Sequence, residues 1–207
     1  MKHPEALREY CRLVLASPVS VTAVDDPDAA WRLLVEDALT AVDVIADRAP
    51  GSLVDVGSGG GSPGIPVAIE TGIPTVLLES RERKSEFLRA AVEQLQLDCE
   101  VVTARSEDHA RGPARESYDM VLARALAPPP VAIELCLPLV RPGGWLVLWT
   151  AAIEAHQLQP VAAILGGSIA ETVAVSDNRR LIVVNKIGPT PQRFPRRPGV
   201  AGKRPLA

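Results

Sequence analysis

The residues best placed to do chemistry lie in one stretch, Leu53-Val54-Asp55-Val56-Gly57-Ser58-Gly59-Gly60-Gly61-Ser62-Pro63-Gly64-Ile65-Pro66. A short apolar run with an acid inside it reads as a buried parallel strand, and the glycines after it let the backbone turn sharply and approach a ligand. In an open α/β sheet a nucleotide-like ligand binds just beyond the carboxyl end of such a strand. The spacing of Gly57, Gly59 and Gly61 meets a dinucleotide fingerprint only in part, because the third glycine of that fingerprint would fall at Ser62. Glu79 follows about twenty residues after the loop, where a carboxylate accepts hydrogen bonds from two ribose hydroxyls. Loop and acid together read as an adenosine site. A tight surface turn uses the same glycines, so the surrounding elements have to decide.

Those elements alternate. Leu7, Cys11, Val14 and Leu15 share one face of a helix expected over Pro4 to Ala16, and Asp25-Asp26-Pro27 starts a second. Its stripe of Trp31, Leu34, Val35, Ala38, Leu39, Val42 and Ile45 predicts one unbroken helix. A strand (Ser52 to Val56), a helix (Gly64 to Glu70) and a strand (Thr75 to Leu78, ending at Glu79) come next. Ser80 is positioned to cap the following helix, whose apolar face is Phe87, Leu88, Ala91, Val92 and Leu95. Strand Glu100 to Ala104 closes at Arg105-Ser106-Glu107, on the sheet edge of the glycine loop, where it can touch an adenosine base. Past a polar loop (Arg111 to Ser117), strand Tyr118 to Leu122 leads to Arg124 at the mouth of the site, a place suited equally to a structural and a phosphate-facing role.

Pro128-Pro129-Pro130 then opens a helix through Leu137, and Arg141-Pro142-Gly143-Gly144 turns into strand Trp145 to Trp149. A helix (Ile153 to Leu165) precedes strands Ser168 to Val175 and Arg180 to Lys186. Their link, Asp177-Asn178-Arg179, is too short for a parallel crossover, so they must be antiparallel. The expected fold class is α/β, a Rossmann-like and mostly parallel sheet with one antiparallel strand and helices on both faces. By analogy of fold this is a methyltransferase sheet rather than a dehydrogenase one. Residues 1–50 form a helical extension packed on the core, 51–187 the core, and 188–207 a basic tail.

Composition narrows the function classes. With 207 residues, 47% of them hydrophobic, the chain has the make-up of an ordinary globular domain. No apolar run reaches the roughly 18 residues of a membrane helix, and Met1 to Ser20 lacks a signal-peptide core, so a cytoplasmic protein that does not engage membranes is expected. Cys11, Cys99 and Cys136 are scattered and odd in number, which predicts buried reduced thiols and neither a disulfide nor a metal site. The net charge of −3 conceals an asymmetry. Six cations and no acid lie between Lys186 and Ala207, which leaves the first 185 residues at −9. An acidic body repels nucleic acid, whereas a local basic segment holds phosphates by releasing counterions; the competing reading of the tail is a solubilising, disordered terminus.

Asp55 to Gly61, D-x-G-x-G-x-G, resembles the first motif of S-adenosylmethionine (SAM) methyltransferases. With its Ser62-Pro63-Gly64-Ile65-Pro66 extension, Arg83-Lys84-Ser85-Glu86-Phe87-Leu88, Ala104-Arg105-Ser106-Glu107, Tyr118-Asp119, Ala123-Arg124-Ala125, and the tail from Pro189 to Leu206, it resembles the bacterial 16S ribosomal RNA guanine-N7 methyltransferases, also called glucose-inhibited division protein B. The resemblance implies that Asp55, Gly57, Gly59, Gly61, Ser62, Glu79, Ser106, Glu107 and Arg124 form a SAM site. In it the three glycines line the methionine end, Glu79 holds the ribose and Ser106-Glu107 lie at the adenine. It implies that Arg193, Arg196, Arg197, Lys203 and Arg204 contact RNA phosphates, with Phe194 stacking on a base. The partner implied is 16S ribosomal RNA or the small subunit, at the 530-loop guanine, and a monomer is expected to act on it. Trp149 stands where the family usually has lysine, Leu34 where it has histidine, and Ser62 where a bulky apolar residue is usual.

Guanine N7 presents a lone pair, so the implied reaction requires no general base and singles out no catalytic side chain. The segment Ala123-Arg124-Ala125-Leu126-Ala127-Pro128 has no N-P-P-Y-type element of an exocyclic-amine methylase, and Cys136 falls in a helix pattern rather than a nucleophile loop. The competing readings are a non-catalytic RNA-binding or ribosome-assembly protein on the same fold, a nicotinamide-dependent oxidoreductase, and a small-molecule methyltransferase that leaves the basic tail without a role.

Overall fold

A computed structural model describes residues 1–151 and 153–206; Ala152, between the expected core elements, and Ala207, the last residue of the expected tail, lie outside the described residues. The chain divides into two compact units, Met1–Ala104 and Arg105–Ala207.

In the first unit, helix α1 (Pro4–Leu15) buries Leu7, Tyr10, Cys11 and Val14 along one stripe. The Asp26 carboxylate caps α2 (Pro27–Trp31) by accepting the Ala29 amide at 2.7 Å, with Pro27 at the first turn as expected. The unbroken second helix is not found. A π-helical turn (Arg32–Glu36) interrupts it, and short helices α3 (Asp37–Leu39) and α4 (Val42–Ala46) follow. The apolar stripe remains on the buried side through this widening, so hydrophobic spacing alone carries no sign of it.

Strands β1 (Leu53–Val56), β2 (Thr75–Glu79) and β3 (Cys99–Thr103) pair in parallel in the order β3-β2-β1, Leu53 opposite Thr75 and Glu79 opposite Thr103. Helix α5 (Gly64–Thr71) joins β1 to β2 and is buried along almost its whole length. Helix α6 (Glu82–Leu95) joins β2 to β3 and buries Ser85, Leu88 and Ala91. Leu7, Tyr10, Val35, Ile65, Leu77 and Leu88 meet in one apolar cluster, each full burial contributing about 1.5–3 kcal/mol. Ser80 does not cap α6; the cap position is Arg81, and its amide goes to the Glu79 carboxylate.

The second unit contains α7 (Ser106–His109), β4 (Tyr118–Arg124), α8 (Pro129–Cys136), a 3-10 turn (Leu137–Leu139), β5 (Val140–Ala151), α9 (Ala155–Ile164), β6 (Gly167–Ser176), β7 (Arg179–Lys186) and α10 (Val200–Lys203). β5 begins before the Arg141-Pro142-Gly143-Gly144 segment expected as a turn, and an irregularity between Tyr118 and Met120 absorbs the extra length. β4 and β5 are parallel, and β7 runs antiparallel to both β5 and β6, as the short link at Asp177-Asn178 requires. The seven strands form one mostly parallel sheet, in the order β3-β2-β1-β4-β5-β7-β6. This is the expected Rossmann-like methyltransferase sheet. Among the described residues no helix is long and apolar enough to cross a membrane, and no group of three or more His, Cys, Asp or Glu is placed to hold a metal ion.

Candidate cofactor site and basic tail

The first unit holds the glycine loop and its acid. The Gly57 and Ser58 amides donate to the Leu78 carbonyl at 2.8 and 3.2 Å, which fixes the start of the loop to the end of β2. Glu79, the last residue of β2, is buried; its Oε2 accepts the Gly59 amide at 3.0 Å and its Oε1 the Arg81 amide at 2.8 Å. The acid expected at a ribose is thus also the clasp of the loop. Gly59 has φ +57°, and a Cβ there would come no nearer to other atoms than 3.7 Å from the Gly57 carbonyl and 3.9 Å from the half-buried Lys84 ammonium. A Cβ at Gly59 would thus meet the loop and Lys84 at ordinary contact distance, beside a carboxylate held in place by two amides. A side chain at Gly59 would also have to adopt the left-handed φ of +57°.

Other expected site residues support the loop from behind. Asp55 is fully buried and accepts the Gly64 amide at 3.0 Å, so it anchors the first turn of α5, where a negative charge is favoured. Gly64 is required for this, because a Cβ would lie 2.8 Å from the Asp55 side chain. Gly57 and Gly61 turn the chain at φ +75° and +97°. The Ser62 hydroxyl donates to the Leu34 carbonyl at 2.7 Å, inside the π-helical turn. Two residues that depart from the resembled family thus meet directly.

Sequence reasoning missed Tyr10. Its hydroxyl donates to the Gly60 carbonyl at 2.9 Å from a fully buried ring, so α1 grips the loop fifty positions away. The spacing of Leu7, Tyr10, Cys11 and Val14 was the available signal. A Cβ on Gly60 would lie 2.8 Å from the Val21 carbonyl, so the segment before α2 packs on the same loop.

In the second unit Ser106 and Glu107 open α7, both buried, and Glu107 Oε1 accepts the Gly199 amide of the tail at 2.9 Å. Arg124 ends β4, half-buried, in register with Trp149 of β5. Trp149 is itself buried and also faces Leu181 of β7, so the position that carries lysine in the resembled family belongs to the interior of the sheet here.

The tail is folded onto its unit. Lys186 is fully buried, with its ammonium 3.0 Å from Glu116 and bonded to Thr190 and the Leu137 carbonyl. Arg115 donates to the Thr190 and Phe194 carbonyls, both at 2.7 Å, and Arg111 donates to that of Pro195. Two residues expected to contact RNA have partners within the unit. Phe194 is 3% exposed, with the Arg193 guanidinium over its ring, so that ring is not presented to a base. Arg196 makes a two-bonded ion pair with the buried Glu134, which holds the guanidinium proton more tightly, so its charge is spent inside the fold. Arg193, Arg197, Lys203 and Arg204 are exposed.

A comparison with protein families matches residues 4–183 to GidB, rRNA small subunit methyltransferase G. The ribosomal RNA small subunit methyltransferase G of Pelotomaculum thermopropionicum is 41% identical over 82% of this chain and 76% of its own length. That of Rubrobacter xylanophilus is 39% identical over 97% and 82%. Among solved structures, a SAM dependent methyltransferase from Aquifex aeolicus superposes with a TM-score of 0.60 at 14% identity over 81% of this chain and 97% of its own. A branched-chain polyamine synthase mutein from Thermus thermophilus reaches 0.66 at 14% identity over 89% and 64%. At such identities the structures speak for the fold alone. The relatives speak for descent, and over nearly nine-tenths of its length this chain belongs to the GidB family of rRNA small subunit methyltransferases.

Proposed function

We propose that this protein transfers the methyl group of SAM to N7 of a guanine in the 530-loop region of 16S ribosomal RNA, acting as a monomer in the cytoplasm on the RNA or the small subunit. The observation that supports the reading is the buried Glu79 carboxylate, bonded to the Gly59 amide at the turn of the glycine loop, an acceptor suited to a ribose. In this reading Glu79 keeps its clasp and accepts the ribose hydroxyls with its remaining lone pairs, Gly57, Gly59 and Gly61 line the methionine end, and Ser106 and Glu107 meet the adenine. Arg124 contributes from the end of β4, and Asp55 and Ser62 hold the loop in shape. Residues 1–50 buttress the loop, 51–187 carry the cofactor and 188–207 meet the RNA through Arg193, Arg197, Lys203 and Arg204.

Bound SAM supplies a sulfonium methyl, an electrophile with a good leaving group. The attacking nitrogen already carries its lone pair, so no side chain has to remove a proton. The protein's contribution is alignment. Rigid seating of both reactants supplies roughly 7–11 kcal/mol of a barrier, and the clasp of Glu79 on Gly59 together with the Tyr10 grip on Gly60 provides that rigidity. The deciding experiment is transfer of labelled methyl from SAM to small subunits that lack the modification, followed by nucleoside analysis. The expected product is 7-methylguanosine at one site; label in another nucleoside, or none in RNA, refutes the reading.

A further inference from the structure

Several contacts hold the tail. Those from Lys186, Arg111, Arg115 and Arg196 are anchors, made by cations to backbone carbonyls or to acids. Two backbone amides of the tail go instead to carboxylates, that of Thr190 to the partly exposed Glu116 and that of Gly199 to the buried Glu107. In the second, a carboxylate 5% exposed, on a residue the reading above places at the adenine, receives the backbone amide of Gly199, ninety-two positions along the chain. Gly199 has φ +79° with open space around it, and the exposed cations Arg197, Lys203 and Arg204 flank it in sequence. Pinning one carboxylate oxygen fixes where the other points, and a fixed acceptor suits the exocyclic amine of adenine.

We propose that Gly199 is a positioning residue for the cofactor: its amide sets the Glu107 carboxylate, so that the basic tail completes the adenine end and RNA seated on Arg197, Lys203 and Arg204 tightens cofactor binding. The inference rests on the adenine role given to Glu107 above. Linkage then makes the effect reciprocal, with bound cofactor tightening RNA by the same factor.

The test is calorimetric binding of S-adenosylhomocysteine, which carries the same adenosine and has no methyl to transfer, to the full chain with and without an unmodified 16S ribosomal RNA transcript. RNA is expected to lower the Kd of the wild-type protein about fivefold or more. Gly199→Pro, which lacks the amide hydrogen, is expected to bind about tenfold more weakly and to lose the RNA effect. Gly199→Asn keeps the amide and tolerates a positive φ, and it should restore both. A structural role alone would lower melting temperature without removing the RNA effect. Equal affinity with and without RNA in the wild-type protein overturns the proposal and needs no variant; so does unchanged affinity in a folded Gly199→Pro. Absence of any binding to the wild-type protein sinks the SAM reading as well, whereas binding that ignores RNA and Gly199 sinks this inference alone.

Discussion

Glu79 and Gly59 are joined across twenty positions by one hydrogen bond of 3.0 Å, so the acid expected to read a ribose also sets the shape of the loop beside it. Replacing either should act on the cofactor through both routes. Gly59→Val forces a branched side chain to a left-handed φ of +57°, and Glu79→Ala removes the clasp and the proposed ribose acceptor together. Both are expected to lower SAM affinity at least a hundredfold. Glu79→Gln, which keeps an acceptor for the Gly59 amide, should fall between them and the wild-type protein. A Glu79→Ala protein with wild-type affinity in calorimetry would exclude this site.

The Tyr10 hydroxyl donates to the buried Gly60 carbonyl, so Tyr10→Phe tests what that bond from α1 does for the loop. Loss of a buried neutral hydrogen bond costs about 1 kcal/mol, or roughly 2–4 °C in melting temperature for a chain of this size. Because the bond is made to the loop itself, the KM for SAM should rise as well. A Tyr10→Phe protein that loses stability and keeps KM and kcat would confine α1 to a packing role.

Much of this was legible beforehand because buried periodicity and turn chemistry act locally. The Asp26 cap with Pro27, the parallel run through Val56 and Glu79, and the reversal at Asp177-Asn178 all follow from nearest neighbours. What was hidden depends on partners remote in sequence. Nothing near Leu34 announces a π-helical turn whose carbonyl takes the Ser62 hydroxyl, and nothing near Arg196 announces Glu134, sixty-two positions earlier. The glycine loop favoured an adenosine without choosing between cofactors. Descent from the methyltransferase family decides against the nicotinamide reading, a choice that glycine spacing leaves open.

Arg196 and Arg197 are adjacent in sequence, but one is paired with Glu134 and the other is exposed, so folding and the proposed RNA contact can be tested apart. Arg196→Ala leaves the buried Glu134 without its partner and should cost about 3 kcal/mol, readable in urea denaturation. Arg197→Gln should leave stability within about 0.5 kcal/mol. It should weaken RNA binding and flatten the salt dependence by about one phosphate contact. Should Arg197→Gln keep the full salt slope, the exposed tail cations do not touch phosphate.

The thiols are predicted to be inert. Burial pushes the Cys11 thiol up to about 11, and burial with the nearby Asp98 and Asp55 charges pushes Cys99 up to about 12. Iodoacetamide at pH 8 should therefore modify both at least about a hundredfold more slowly in the native protein than in urea, because the thiolate is the nucleophile. Cys99 is only half-buried, against the expectation of buried thiols, and rapid native labelling at either position, mapped by peptide mass, would contradict the raised values.

The Glu116–Lys186 pair gives the tail anchor a pH dependence whose sign is fixed. Burial pushes the Glu116 carboxyl up, but the Thr190 amide and the Lys186 ammonium outweigh it and hold the acid below its ordinary value of 4.5. Burial pushes Lys186 down, with Glu116 opposing. An acid whose value is lower folded than unfolded leaves the unfolded chain binding more protons. Its contribution is therefore present above about pH 4.5 and is lost as pH falls through the folded value. Glu116→Gln keeps an acceptor for Thr190 and removes the charge beside the buried ammonium, so at pH 7 it should cost about 1–3 kcal/mol, between the exposed-pair and buried-pair ranges because Glu116 is partly exposed. Denaturation free energies of the two proteins, measured from pH 7 down to pH 3, should then converge as wild-type Glu116 takes up its proton. A gap that stays constant over that range would mean that the charge on Glu116 does not hold the tail.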